Sequence, residues 1–160
     1  MINCIVAVEK NHGIGFNGYM PWPHLSGDMS WFKSATTGHV VIMGSVTHRS
    51  IGRHLSNRVN VVLTRSQNIT SADHTFDNID SAIAFCQTEY PDKEIFIIGG
   101  DNVYKQCMDK IDTFFVTQID ESYTCDRYFN LDYVKNSCKS SKIILKYDDP
   151  VKYTITEYTL

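Results

Sequence analysis

The stretch that decides the fold is IFIIGGDNVYKQ, residues 95–106. Four apolar residues come before a pair of glycines, and a largely polar segment follows. Continuous apolar runs of this length are typical of strands that are covered on both faces of a mainly parallel sheet. The stretch therefore predicts a buried strand, a glycine turn, and a helix that begins near residue 101 or 102. This is the repeating unit of α/β folds.

Other parts of the chain repeat the unit. Further apolar, β-branched runs occupy residues 4–8, 40–43 and 59–64. The intervening segments predict helices at about 25–37, 45–51, 78–90 and 102–110. The tail differs, because FFVTQID, KIILKY and KYTITEYTL all have strand character and no helix is predicted between the last two. We therefore predict a single α/β domain, residues 1–160, with a mainly parallel sheet and a C-terminal antiparallel hairpin.

Composition limits the function classes. The 160 residues are 42% apolar and 21% charged, which is ordinary for a globular chain with its own core. Fifteen basic and eighteen acidic residues give a net charge of −3, so the charge does not favour nucleic acid or an anionic membrane as partner. Nothing in the sequence suggests an obligate interface, so we expect a monomer.

The cysteines and histidines point away from disulfides and metals. Five cysteines without a C-x-x-C pair predict free, mostly buried thiols in a reducing compartment, the cytoplasm. The six histidines lack metal-binding spacing, so we expect no metal site. The first ten residues do not have the pattern of a signal peptide.

Residues 13–18, GIGFNG, match the G-x-G-x-x-G pattern of dinucleotide-binding turns. That turn needs a helix at its third glycine, whereas Pro21 and Pro23 follow and oppose one. We therefore interpret residues 13–23 as a glycine-jointed loop that ends in a stiff Pro-Trp-Pro segment. Its length, together with the apolar side chains of Met20 and Trp22, predicts a lid over a site.

One carboxylate, Asp28, lies among apolar residues in MPWPHLSGDMSWF, residues 20–32. With Ser26 as N-cap, Asp28 falls in the first helical turn, where a carboxylate stabilises the helix end. Trp31 and Phe32 share its side of the helix. A carboxylate against apolar walls has a raised pKa, which suits proton chemistry, and it can pair with a donor-rich heterocycle. The residues alone leave both interpretations open.

Three strand ends carry glycines, hydroxyls and one arginine. The residues are Gly44, Ser45, Thr47, Thr64, Arg65, Ser66, Gly99 and Gly100. Ligands of open α/β sheets bind at the carboxyl ends of strands, and glycines let the backbone approach a ligand closely. Together these strand ends predict a site for a phosphorylated nucleotide. A plain strand-to-helix turn at residues 99–100 is the alternative.

Six ordered segments resemble the dihydrofolate reductase family. They are IVAVEKNHGIGFNGYMPW, DMSWFK, VVIMG..T...IG, LSNRVNVVLTRS, IIGGDNVY and VTQID, which cover nearly the whole chain. The resemblance implies a mainly parallel sheet of eight strands flanked by four helices. It also implies NADPH-dependent reduction of 7,8-dihydrofolate to tetrahydrofolate, with hydride passing from nicotinamide C4 to pterin C6, in support of thymidylate and purine synthesis.

The resemblance assigns substrate-side roles by position. It implies that Asp28 pairs with the pterin and promotes protonation at N5, and that Thr117 steadies this carboxylate. Met20 and Trp22 complete the implied catalytic set as lid residues. Arg58, which otherwise passes as a surface charge, corresponds to the clamp on the glutamate α-carboxylate. The other implied substrate contacts are Ile5, Val6, Ala7, Met29, Phe32, Ile51, Leu55, Ile98 and Tyr104.

The resemblance implies NADPH as cofactor and a cis peptide between Gly99 and Gly100. The implied cofactor contacts are Ala7, Ile14, Gly15, Gly18, Met20, Gly44, Ser45, Val46, Thr47, Leu63, Thr64, Arg65, Ser66, Ile98, Gly99, Gly100, Asp101, Asn102, Val103 and Tyr104. Family members usually carry Arg or Lys where Ser45 stands and a basic or polar residue at Val46. Arg65 is therefore the expected partner of the 2′-phosphate, and Asp101 is an unexpected acid beside the expected pyrophosphate.

Two alternatives remain. One is a non-catalytic folate- or nucleotide-binding protein of the same fold. The other is a related pteridine or pyrimidine reductase. Asp28, Phe32, Arg58 and Thr117 favour catalysis over the first, and the PW…D…F segment argues against the second.

Overall fold

The computed structural model describes residues 1–65, 69 and 71–160, so Ser66, predicted to contact the cofactor, lies outside the described residues. The strands are β1 Ile2–Val8, β2 Gly13–Gly15, β3 Val40–Gly44, β4 Val59–Leu63, β5 His74–Phe76, β6 Ile95–Ile97, β7 Thr113–Ile119, β8 Arg127–Tyr128, β9 Ser140–Tyr147 and β10 Tyr153–Thr159. The α-helices are α1 Ser26–Thr36, α2 Ser45–Ile51, α3 Ile79–Glu89, α4 Asp101–Cys107 and α5 Leu131–Ser137. A 3₁₀ turn, Met108–Lys110, follows α4.

Eight of these strands form one sheet in the order β5-β4-β3-β6-β1-β7-β10-β9. The first six strands in this order run parallel to their neighbours, whereas β10 runs antiparallel to both β7 and β9. The predicted fold class, a mainly parallel sheet with a C-terminal antiparallel hairpin, is therefore confirmed. The remaining strands, β2 and β8, pair with each other outside this sheet.

The opening stretch forms β6, the glycine turn and α4. β6 lies between β3 and β1, and Ile95, Phe96 and Ile97 are at most 3% exposed. Neighbours on both sides and on both faces explain why the run is apolar throughout rather than alternating. The strand ends at Ile97, one residue before the end of the apolar run, because the chain then turns through the glycine pair.

The described residues contain five α-helices, whereas the resemblance implied four. The additional helix, α5, has seven residues, too few to show a helical period in the sequence. Its N-cap is Asn130, whose side chain accepts a hydrogen bond from the Tyr133 N–H at 3.1 Å. The predicted cap of α1 is wrong, because Leu25 is the N-cap and Ser26 is the first helical residue.

The predicted lid contains a small hairpin. Phe16 and Tyr19 exchange backbone hydrogen bonds of 2.7 and 3.0 Å. The two residues at its tip, Asn17 and Gly18, have φ angles of 51° and 84°. Positive φ at both positions is what a two-residue type I′ turn requires, and Asn-Gly is its preferred sequence.

All five cysteines are free, and Cys4, Cys86 and Cys107 are buried. Burial raises the pKa of the Cys86 thiol to about 11 and that of the Cys107 thiol to about 12, so both remain protonated and act as apolar core groups. In the described part of the chain no helix has the length and apolar character needed to cross a membrane.

Candidate active site

Asp28 and Thr117 meet where the first turn of α1 lies against β1 and β7. β1 and β7 are parallel neighbours, with Ala7 opposite Thr117. The Thr117 hydroxyl donates a hydrogen bond to Asp28 Oδ1 at 2.5 Å. Burial raises the pKa of Asp28, and the hydrogen bond from Thr117 opposes this shift without cancelling it. The carboxyl group therefore titrates closer to neutrality than an exposed aspartate.

An apolar wall lies beside this pair. Ile5 and Leu55 are buried in one hydrophobic cluster, and Phe32, Ile51 and Ile98 pack against it. These five residues come from four separate parts of the chain. The sheet and its flanking helices thus bring together the apolar residues that were predicted to grip the substrate rings.

Other predicted substrate contacts lie in different surroundings. Val6 and Tyr104 belong to the largest buried cluster, and the Tyr104 hydroxyl donates to the Ile5 carbonyl at 2.8 Å. Ala7 packs against the cluster around Trp22. Met29 is 44% exposed and belongs to none of the buried clusters.

Arg58 is only 9% exposed, so its interpretation as a surface charge is wrong. Its Nε donates to the Ser56 carbonyl at 3.0 Å, and its Nη1 donates to Thr36 Oγ1 at 3.1 Å. The guanidinium carbon lies 5.9 Å from the centroid of the Phe32 ring. Burial and the neighbouring charge of Arg53 lower the pKa of Arg58, which nevertheless remains a cation because an arginine pKa lies far above neutrality. This cation therefore stands at the end of the apolar wall.

The lid is attached to the body at several points. Trp22 is 8% exposed and packs with Leu25, Ile119 and Tyr153, whereas Met20 is 56% exposed. The backbone of Asp126 donates to the Gly15 carbonyl at 2.9 Å, and its carboxylate accepts from the Asn17 N–H at 3.1 Å.

Gly18, at the tip of the lid hairpin, is anchored to α2. Its carbonyl accepts from the Ser50 hydroxyl at 3.2 Å. Ile14 packs against the largest buried cluster. Of the lid residues predicted to contact the cofactor, Gly15 is thus held by the loop that follows β7 and Gly18 by α2.

Gly44, Gly99 and Gly100 form a glycine cradle at the ends of β3 and β6. The Gly44 N–H donates to the Gly99 carbonyl at 2.8 Å. A Cβ atom at Gly44 would lie 3.2 Å from Val103 Cγ2, and one at Gly100 would lie 3.3 Å from Thr47 Oγ1. The Gly99–Gly100 peptide is cis, and Gly99 has a φ of 125°, which a side chain rarely permits. A side chain at Gly44 or Gly100 would crowd Val103 or Thr47, and one at Gly99 would strain the backbone, so glycines suit all three positions.

The side chains around the cradle provide little positive charge. Ser45 and Thr47 are half-buried in the first turn of α2, whereas Val46 is 59% exposed. After β4, Thr64 is half-buried and Arg65 is exposed. Leu63 is half-buried and packs against the largest cluster, and Val103 is buried in it. Asn102 is exposed.

Asp101, the unexpected acid, is held by two cations. Its carboxylate lies 3.8 Å from Lys105 Nζ and 3.6 Å from Arg127 Nε. Arg127 belongs to β8, which pairs with the start of the lid. Sequence reasoning did not identify Arg127, because an arginine in a polar loop has no distinguishing pattern.

Two further residues were missed. Glu9, which follows β1 directly, is 1% exposed. An acid immediately after a buried strand was the available signal. Tyr153 is 2% exposed, and its hydroxyl would lie 2.6 Å from a Cβ at Gly27, so this glycine lets Tyr153 approach the first turn of α1.

Two open clefts, of about 410 and 480 Å³, lie away from the Asp28–Thr117 pair. The first is between α4 and β8, and the second is beside Glu9 and the β9–β10 hairpin. Neither Asp28 nor Thr117 lines them. The candidate site is therefore identified by its half-buried carboxylate, its apolar wall and its glycine cradle, and not by the size of a cavity.

Comparison with known proteins agrees with this geometry. The sequence profile of the dihydrofolate reductase family matches residues 1–160. Dihydrofolate reductase of Haemophilus influenzae is 40% identical over 125 residues, which are 78% of this chain and 76% of that protein. Dihydrofolate reductase of Buchnera aphidicola is 40% identical over 129 residues, which are 80% of this chain and 76% of that protein. The enzyme of Staphylococcus haemolyticus is 34% identical over 129 residues, which are 80% of this chain and 75% of that protein. The chain belongs to the dihydrofolate reductase family.

Proposed function

We propose that the chain catalyses NADPH-dependent reduction of 7,8-dihydrofolate to tetrahydrofolate, and that Asp28 promotes protonation of the pterin at N5. Family membership and the names of the relatives support dihydrofolate reduction. The single observation that carries the role of Asp28 is its hydrogen bond to Thr117 beside the apolar wall. A half-buried carboxylate whose pKa is raised by loss of contact with water is suited to proton transfer near neutral pH.

The Asp28–Thr117 pair would fix the pterin by hydrogen bonds. Oδ1 of Asp28 already accepts from Thr117, so the remaining acceptor capacity of the carboxylate is available to the amino and ring N–H groups of the pterin. From that edge of the ring, the negative charge of the carboxylate would favour the protonated form of N5 on the neighbouring ring. Asp28 thus orients the ring and favours the protonated pterin.

The apolar wall and Arg58 would hold the rest of the substrate. Ile5, Phe32 and Leu55 cover the faces of flat rings without hydrogen bonding, which leaves orientation to the polar groups at either end. Arg58 is well placed for the glutamate α-carboxylate, because its guanidinium is already anchored by Ser56 and Thr36. An anchored guanidinium loses little freedom when it binds a carboxylate in a bidentate geometry.

The cofactor side fits a dinucleotide through its backbone. Gly44, Gly99 and Gly100 leave space that a side chain would fill, and Thr47 stands beside them. NADPH, when bound, supplies a hydride from nicotinamide C4 to pterin C6. Arg65 is the cation that we assign to the 2′-phosphate. The lid would cover the site and exclude water.

The test is the loss of NADPH absorbance with dihydrofolate, for the wild type and for Asp28→Asn. We expect Asp28→Asn to lower kcat/KM at neutral pH by about 10²–10⁴-fold, the range of general acid–base contributions. The loss should shrink as pH falls, because solvent then protonates N5 without help from the carboxyl group.

Two outcomes would contradict the proposal. Absence of turnover by the wild type would favour a non-catalytic folate- or nucleotide-binding protein. An equal loss in Asp28→Asn at every pH would exclude a proton role for Asp28 and leave it a binding role only.

A further inference from the structure

Glu9 is a buried carboxylate that the proposed reaction does not use. It is 1% exposed and lies between the end of β1 and the start of the lid. Its Oε1 accepts hydrogen bonds from the N–H groups of Asn11 and Gly13, both at 2.7 Å. Its Oε2 accepts from the N–H of Tyr123, 3.2 Å away. A buried charge is costly unless it is satisfied, and here three backbone donors satisfy it.

Oε1 of Glu9 closes the turn from which the lid begins. In the same turn Glu9 N–H donates to the Gly13 carbonyl and His12 N–H donates to the Glu9 carbonyl, each at 2.9 Å. A Cβ at Gly13 would overlap the sulfur of Cys125, so the turn is packed tightly against the loop after β7. The position of the first lid residue is therefore fixed by this carboxylate and by its surroundings.

Oε2 of Glu9 reaches the other end of the lid through Tyr123. The Tyr123 ring meets Trp22 edge-on, with 6.3 Å between the ring centroids. Trp22 in turn packs in the cluster against which Ala7 of β1 lies. Ala7 is opposite Thr117 in the sheet, so the cluster around Trp22 borders the floor of the candidate site.

We propose that Glu9 is a positioning residue, which sets the place of Trp22 and thereby the fit of the lid over the reacting groups. The proposal rests on the proposed function, because it concerns the same site. Glu9 touches neither ligand and acts through Tyr123 and Trp22. Misplacement of groups around a reacting centre by about 1 Å can cost roughly a hundredfold in rate.

The variant Glu9→Gln removes the hydrogen bond from Tyr123 and keeps those from Asn11 and Gly13. An amide has one acceptor oxygen and one donor group, whereas the carboxylate has two acceptor oxygens. The amide oxygen can keep the short bonds to Asn11 and Gly13, and the amide NH₂ then faces the Tyr123 N–H, so that bond is lost. The backbone bond from Lys10 N–H to the Glu121 carbonyl, 3.0 Å, still holds the turn beside the loop.

The chain has two tryptophans, which allows a spectroscopic test with an internal reference. The protein is labelled with 5-fluorotryptophan and observed by ¹⁹F NMR. In Glu9→Gln we expect the Trp22 resonance to shift or broaden while the Trp31 resonance stays in place. Single-turnover hydride transfer should slow roughly ten- to a hundredfold, with KM for dihydrofolate changed less than about threefold.

Glu94→Gln is the matched control. Glu94 is half-buried and accepts a hydrogen bond from Asn3 Nδ2 at 3.1 Å, at the opposite end of β1. We expect it to lower Tm without moving Trp22 or slowing hydride transfer. If Glu9→Gln behaves in the same way, the role of Glu9 is structural only and the proposal is overturned.

Tyr123→Leu keeps the test decisive even if Glu9→Gln does not fold. It retains the backbone N–H that donates a hydrogen bond to Glu9 Oε2, and it removes the ring that contacts Trp22. We expect the same displacement of Trp22 and a slower hydride step. An unchanged Trp22 resonance and rate would overturn the route through Tyr123. Failure of the wild type to turn over would instead refute the proposed function, while the Trp22 resonance still reports the connection to Glu9.

Discussion

The substrate side and the cofactor side of the candidate site are built in different ways. On the proposed substrate side, hydrogen bonds between side chains hold the site together: Thr117 donates to Asp28, and Arg58 donates to Thr36. On the cofactor side, Gly44, Gly99 and Gly100 bring two strand ends together through backbone contacts.

The difference predicts different sensitivity to substitution. A buried side chain whose partners are fixed cannot be replaced without leaving an unpaired polar group. A backbone cradle tolerates changes in its neighbours as long as its glycines remain. We therefore expect substitutions at the exposed positions Val46 and Arg65 to change cofactor affinity gradually, and substitutions on the proposed substrate side to have larger effects.

The largest expected effect beyond Asp28 is at Arg58. We expect Arg58→Lys to raise KM for dihydrofolate roughly ten- to a hundredfold, because a hydrogen bond to a charged group is worth about 1.5–3 kcal/mol. A dihydropterin without the glutamate should show no such loss. Steady-state kinetics with both substrates is the measurement, and Arg53→Lys, at an exposed neighbour, is the control. Equal losses with both substrates would show that Arg58 does not bind the glutamate.

A smaller effect is expected at Arg65, which is exposed. Arg65→Ala should raise KM for NADPH by roughly three- to tenfold and leave KM for NADH nearly unchanged, since only NADPH carries the 2′-phosphate. The measurement is steady-state kinetics of the variant with NADPH and with NADH, and Arg53→Ala is the control. The assignment fails if the two cofactors are affected equally.

Adding positive charge beside the glycine cradle should strengthen the binding of NADPH. We expect Ser45→Arg to lower Kd for NADPH roughly threefold, in line with the modest worth of exposed ion pairs. Titration at low and high salt tests the cause, because added salt should remove most of the gain. Ser45→Ala, which only deletes the hydroxyl, is the control. A gain that persists at high salt would argue for a packing effect.

The smallest effect concerns stability. Because burial raises the pKa of Asp28 in the folded protein, the folded state holds this proton more tightly than the unfolded state does. The stability contribution of Asp28 is therefore greatest below the ordinary carboxyl pKa and falls as pH rises through the folded-state pKa.

Asp28→Asn should accordingly raise Tm modestly at neutral pH, because the amide resembles the protonated carboxyl group and has no ionisation to lose. The gain should vanish towards pH 4. Thermal unfolding across this pH range is the measurement, with the exposed Asp92→Asn as control. If the gain in Tm does not depend on pH, the effect of Asp28 on stability does not arise from ionisation of its carboxyl group.

The sequence was sufficient for the elements that have a clear pattern. Apolar runs gave the central strands, and the predicted limits of α2 were correct, because Gly44 and Gly52 bracket it. The short strands β2, β5 and β8 were not predicted, since two or three residues show no period. Their pairing depends on neighbours that are distant in sequence.

Within the site, local spacing placed Asp28 in the first turn of a helix and beside Phe32. It could not show that Arg58 is buried, because the hydrogen bond to Thr36 crosses 22 residues. The bond from Tyr123 to Glu9 crosses 114 residues, and the Asp101–Arg127 ion pair likewise joins distant loops. Contacts of this kind follow from the tertiary fold and have no local signal.

The edge of the sheet formed by β9 has features that protect it against aggregation. β9 is an edge strand, and most of its residues are exposed, among them Ile143 at 52%. Its register with β10 shifts between Ile155 and Thr156, which is a β-bulge, and Lys142 and Lys146 flank the irregularity. A bulged, lysine-bearing edge is a poor template for a further strand. The chain can thus expose an isoleucine at its sheet edge without inviting a second molecule to extend the sheet.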